Sequence, residues 1–133
     1  MHLSVKYTIL FSMKKLIAEK KKKQYRHLPA FILLALAEKP NHGGEIVSIL
    51  TNRMPIKNAD AGAVYRALQK LEQEGEVTST WDTSNAGPAK KIYRLTSAGL
   101  NSLEYWKEDI EMRISILTFF MTKYNQIKKD IHI

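Results

Sequence analysis

Apolar positions change their spacing along this chain, and each change marks an element. Leu28 to Glu38 is apolar almost all round, which predicts a helix central to the core. Pro29 falls in its first turn, where a missing N–H costs little. Lys39-Pro40-Asn41 ends it. Asn41 to Met54 predicts a second helix, with Asn41 as N-cap, Ile46, Ile49 and Leu50 as its stripe, and Pro55 as its stop. Gly43-Gly44 weakens the first turn of that helix. From Ala61 to Glu74 the spacing predicts a third, with Asp60 as N-cap and Gly75 just past its end. Here Val64, Leu68 and Leu71 form the core stripe. Gly62, Arg66, Gln69 and Gln73 fall nearly opposite, with Tyr65 and Lys70 on the flanks.

The period then shortens to two. Val77 to Trp81 and Lys91 to Leu95 read as strands of a β-hairpin. Between them Thr83-Ser84-Asn85-Ala86-Gly87-Pro88 is a turn-forming cluster, long enough for the tip to project. Thr96 opens a long helix, Ser97 to about Ile131. In it Leu103, Ile110, Leu117, Tyr124 and Ile131 recur at seven, with Trp106, Phe120 and Ile127 in the second heptad position, Arg113 as its exception, and Ile114 and Met121 widening the seam. A seam longer than a small domain is wide needs a second surface to cover it, and self-association supplies one. At the N-terminus the pattern does not choose. Leu3, Val5, Tyr7, Ile9, Phe11 and Met13 alternate as in a strand, while Leu3, Leu10 and Ile17 recur at seven as in a helix.

Composition narrows the chemistry. The 133 residues include no cysteine, which removes disulfides, thiolate catalysis and cysteine-based zinc sites. The net charge of +8 points to an anionic partner, but it is unevenly placed. Met1 to Pro29 holds eight basic residues and one acid, including the run Lys20-Lys21-Lys22-Lys23; the remainder holds thirteen basic and twelve acidic residues. Nucleic-acid binding by the folded body must therefore rest on where its charges sit. No apolar run approaches the roughly 20 residues that span a bilayer. No export signal is legible, so the expected location is the cytoplasm, without a membrane partner.

Three helices followed by a hairpin is the order of a winged helix-turn-helix, whose third helix enters the major groove of duplex DNA. The expected fold is mainly α with a small β-hairpin: an N-terminal arm (1–26), the winged domain (27–96) and a C-terminal dimerisation helix (97–133). On the third helix Gly62 clears bulk from the leading end. Arg66 and Gln69 are candidates for base edges, since Arg pairs with guanine and Gln with adenine. Tyr65, Lys57, Lys90 and Lys91 fit phosphate contacts, and Asn58 and Lys70 join the candidate set. Lys90, Ile92 and Arg94 share one strand face, so Arg94 has a structural alternative. The expected dimer surface is Leu103, Trp106, Ile110, Ile114, Leu117, Phe120, Met121 and Tyr124. A small-molecule effector has an apolar lining available near Trp106 and the aromatics Phe119, Phe120 and Tyr124, although core packing explains the same rings.

Leu28-Pro29-Ala30-Phe31-Ile32-Leu33-Leu34-Ala35-Leu36 with His42-Gly43-Gly44-Glu45-Ile46 resembles the opening of the PadR-family transcriptional regulators. Gly62-Ala63-Val64-Tyr65-Arg66-Ala67-Leu68 with Leu71-Glu72 and Glu74-Gly75, and the segment Gly87 to Thr96 with Gly99, continue the likeness. The resemblance implies a dimeric winged-helix DNA-binding protein, usually a repressor. Two positions depart from it: Gly44, where the family commonly has an aromatic ring, and Arg66, where it often has proline. The Tyr-Arg pair with the Gly-Pro wing is similar to the subgroup of polyhydroxybutyrate-responsive repressors, but no residue here identifies that ligand. His2, His27, His42 and His132 lack metal-ligand spacing, so no catalytic residue, cofactor or metal is expected. The other reading is a protein-interaction module on a winged-helix scaffold, which the near-neutral body favours.

Overall fold

The computed structural model describes residues 7–15, 26–54, 60–84 and 86–131. Residues 7–15 are helical (α1), so this part of the N-terminal pattern folds as a helix and not as a strand. There follow α2 (Leu28–Glu38), β1 (Asn41–His42), α3 (Gly43–Asn52), α4 (Ala61–Gln73), β2 (Val77–Asp82), β3 (Lys90–Leu95) and α5 (Ser97–Asp130). The strands form an antiparallel sheet in the order β1-β3-β2.

One core holds the head together. Ile32, Leu33, Ile46, Leu50, Val64 and Leu68 are fully buried, joined by Leu28, Leu36, Leu71, Val77 and Tyr93. As its all-round apolar surface predicts, α2 packs against α3, α4, α5 and β3. The stripe Val64, Leu68, Leu71 turns α4 inward on one side and leaves Tyr65, Arg66, Gln69 and Lys70 exposed on the other. Asp60 caps α4 through Oδ1, which accepts from the Gly62 N–H at 2.9 Å. Gly75 closes it with φ +77, a left-handed turn open to glycine at little cost.

Two expectations need correction. The second helix does not begin at Asn41. Asn41 and His42 pair instead with Tyr93 and Ile92, adding a third strand to the expected hairpin. A two-residue strand has no period to read, and its pairing is set by a segment about fifty positions away. The cap of α3 is accordingly His42, whose Nδ1 accepts from the Glu45 N–H at 3.3 Å, while Asn41 Oδ1 accepts from the His42 N–H. The helix also ends at Asn52, short of Met54.

Thr96 joins three elements at one point. Its hydroxyl donates to the Gly75 carbonyl at 2.6 Å and accepts from the Gly99 N–H, capping α5. Gly99 is buried against this corner, and a Cβ there would lie 2.1 Å from the Glu76 carbonyl oxygen and 2.6 Å from Leu95 Cδ1. A backbone oxygen cannot rotate away. Gly99→Ala is therefore expected to cost about 1–3 kcal/mol as an overpacked contact, read by urea unfolding; an unchanged midpoint would show that α5 can shift without loss.

The long helix divides into two functional lengths. Leu103 and Trp106 pack on the head, with Trp106 edge-on to His27 at 5.9 Å between ring centroids. From Ile114 onward every described residue is exposed, including Leu117, Phe119, Phe120, Met121 and Tyr124. At 34 residues α5 is about 50 Å long, so its distal half projects beyond the head. A second apolar line, Tyr105, Met112, Ile116 and Phe119, lies exposed about 140° around the helix from the heptad seam.

Candidate nucleic-acid interface

The exposed ridge of α4 borders a concave face. Its open groove of about 400 Å³ is lined by His42, Gly43 and Gly44 at the start of α3, Tyr65 of α4, and Trp81, Lys90, Lys91 and Tyr93 of the wing. Gly43 leaves room for the Tyr65 side chain at the start of α3. A Cβ at that position would lie 2.4 Å from Tyr65 Cε1, so the ring of Tyr65 lies directly on the helix start. The Tyr65 hydroxyl also reaches to within 3.9 Å of where a Gly44 Cβ would stand.

Arg66 lies over the small leading end of α4. Its Nη1 would be 3.2 Å from a Cβ on Gly62, and its Nη2 is 4.0 Å from Asp60 Oδ2. Both partners are well exposed, and such a pair in water is worth little. Arg66 can leave Asp60 for a stronger acceptor, and Gln69 and Lys70 continue the ridge, exposed.

The wing separates its cations by strand face. Lys91, Tyr93 and Leu95 share the inward side with Val77, Ser79 and Trp81; Lys90, Ile92 and Arg94 share the other with Thr78, Thr80 and Asp82. Arg94, given a structural alternative above, is exposed, as is Lys90. Lys91 is the engaged cation: its Nζ is 3.1 Å from Glu72 Oε1. Ser79 donates its hydroxyl to the other oxygen of the same carboxylate. That Ser79 hydrogen bond, with the Lys91 contact adding to it, holds the Glu72 carboxyl below its ordinary pKa, while Glu72 holds Lys91 above its own. The lowered Glu72 contributes stability that is lost only as pH falls through its folded value. The raised Lys91 contributes stability that is lost only as pH rises through its own. The pair stays charged across the neutral range. Asp82 is likewise held low, first by the Ser84 hydroxyl and then by the Ser84 N–H at 2.9 Å.

Gly62, Tyr65, Arg66, Gln69 and Lys70 thus form one surface, and Lys90 flanks it from the wing. Lys57 and Asn58 lie outside the described residues. From the sequence neither Glu72 nor Trp81, 67% exposed at the edge of the groove, was assigned a role in the site. Trp81 had a signal, since a large ring at the solvent end of a short strand has no core to fill. Among the described residues no group of three or more His, Asp or Glu could hold a metal ion, and no helix is long and apolar enough to cross a membrane.

The model of the PadR-like transcriptional regulator family matches residues 32–105, more than half of the chain and all of the winged head from mid-α2 to early α5. The chain belongs to the PadR-like family. An uncharacterised protein of Lysinibacillus sphaericus is 33% identical over 100 residues, 71% of this chain and 88% of its own. A PadR family transcription regulator of Clostridium difficile superposes with a TM-score of 0.65 at 24% identity, covering 71% of this chain and 98% of that one, a likeness of fold. Bacillus subtilis PadR, solved in complex with operator DNA, is 29% identical with a TM-score of 0.56 over 61% of this chain and 45% of its own. The winged head and long C-terminal helix of this PadR-like chain are those of a transcription regulator fold.

Proposed function

We propose that this protein is a sequence-specific DNA-binding repressor that acts as a homodimer on a pseudo-palindromic operator. The observation that carries the reading is the α4 ridge: a helix anchored by a fully buried stripe, with Arg66, Gln69 and Lys70 exposed and aligned beyond a glycine-cleared leading end. Arg66 and Gln69 read base edges; Tyr65, Lys70 and Lys90, with Lys57 and Asn58, hold phosphates. The operator complex of the Bacillus subtilis relative supports DNA as the partner. The distal half of α5, from Ile114 to Tyr124, pairs with a second copy, leaving Leu103 and Trp106 to fix α5 to its own head. Two heads yoked in this way present α4 to successive major grooves about 34–36 Å apart.

A small-molecule effector has a place to act on that yoke. Ala30, Phe31, Leu34, Leu103, Trp106, Lys107 and Ile110 line an apolar groove of about 140 Å³ where α5 leaves the head. A ligand there changes the angle between helix and head, and so the separation of the two ridges.

Arg66→Ala tests the base-reading role. Against a panel of single-base variants of the protected sequence, it should flatten the preference at one position per half-site, with a loss of about 1–3 kcal/mol on the preferred base. An unchanged preference at every position would remove Arg66 from base reading.

A further inference from the structure

The Glu72 carboxylate touches three elements: its own helix α4, β2 through Ser79, and β3 through Lys91. It sits on the far half of α4 from Asp60, beneath the two wing strands where they leave the core. Both charged side chains are about one-third exposed, at 32% and 36%, and Lys91 also lies over the Tyr93 ring at 5.4 Å. An acid on a helix that faces DNA repels phosphate, so charge alone argues against it. Lys91, on the same count, is a phosphate contact, as the sequence suggested. The geometry joins the two instead: each charge is spent on the other, and the pair presents no net charge to a polyanion.

We infer that Glu72, Ser79 and Lys91 form a clamp that fixes the pitch of the wing against the recognition helix, with Glu72 and Lys91 acting as positioning residues and Lys91 making no phosphate contact. The inference rests on the DNA-binding reading above. It leaves Lys90, on the opposite strand face and exposed, as the phosphate-holding lysine of the wing. It also predicts an effect of inverted sign: removing the Glu72 charge weakens operator binding, although simple repulsion says that it should strengthen it.

The test measures affinity against salt for two duplexes, the protein's own upstream region and a shuffled sequence of the same composition. Each phosphate contact contributes about 0.9 to the slope of log K on log salt. Lys90→Gln should lower the slope by about 0.9 on both duplexes. Lys91→Gln should leave the slope unchanged and lower affinity for the upstream duplex alone. Glu72→Gln should act in the same direction, and the Glu72→Gln, Lys91→Gln double variant should be no weaker than either single. Ser79→Ala, which leaves the ion pair in place, supplies a milder loosening of the wing should Glu72→Gln fold poorly, and should give a smaller loss of the same kind. A slope that falls for Lys91→Gln as it does for Lys90→Gln overturns the clamp while leaving DNA binding intact. So does tighter upstream binding by Glu72→Gln. A wild type that binds both duplexes equally with no slope overturns the DNA reading, and the clamp with it.

Discussion

Replacing Leu117 and Met121 together by aspartate is expected to give a folded monomer whose operator affinity is lower by about 10²–10⁴-fold, the gain that linking two binding heads ordinarily confers. Both residues lie in the projecting half of α5, 63% and 53% exposed, on the side that carries Ile110, Ile114 and Tyr124. Neither belongs to the buried core of the head, and Leu117 only borders an open groove with Arg26 and His27, so the substitutions should leave head stability close to wild type. That separation makes the test clean: sedimentation reads the oligomer, thermal unfolding reads the head, and DNA titration reads the consequence. An aspartate placed against its symmetry mate buries an unpaired charge, which a helix seam does not tolerate. A variant that still sediments as a dimer would move the interface away from this seam, and the second apolar line, Tyr105 to Phe119, would be the next surface to examine.

The second large effect concerns the head alone. Leu68→Ala should cost about 2–5 kcal/mol, the range for emptying a buried leucine site. Total stability in a domain of this size is about 5–15 kcal/mol, so a large part of it depends on this one side chain. Leu68 is fully buried at the middle of α4, in one cluster with Ile32, Ile46 and Leu50. The same side chain holds the exposed ridge in register, since Gln69 and Arg66 are set by the angle at which Leu68 enters the core. Urea unfolding should show a lower midpoint with an unchanged slope. A loss below about 1 kcal/mol would mean that the core repacks around α4 more freely than its close-packed burial implies.

The parts of this fold legible in the sequence are those whose physics is local. The period of Val64, Leu68 and Leu71, the Asp60 cap and the Gly75 exit define α4 from neighbours within a turn or two, and the structure places all of them as expected. The heptads of α5 behave in the same way, and Ser97 to Asp130 is helical throughout. What the sequence hid depends on distant partners. The strand at Asn41 and His42 exists because β3 offers it an edge. The division of α5 into a head-packing and a projecting half depends on where α2 begins, since Ile110 borders Ala30 and Phe31 while Leu117 has already passed to Arg26 and His27, which no heptad records. The candidate site shows the same contrast. The ridge on α4 follows from helical geometry, whereas the role of Lys91 turns on Glu72, nineteen positions earlier. A partial signal was available: Tyr93 and Leu95 are the apolar members of β3 that face the core, and strand alternation puts Lys91 on their side, away from Lys90.

Binding of the intact protein to its own upstream duplex and to a shuffled duplex, followed by a footprint on whichever is preferred, decides whether paired α4 ridges read an operator. An operator-reading homodimer should strongly prefer the upstream sequence, weaken steeply with salt, and protect a region with two symmetric halves about one helical turn apart. Equal affinity for both duplexes, or a footprint with a single half, would contradict it.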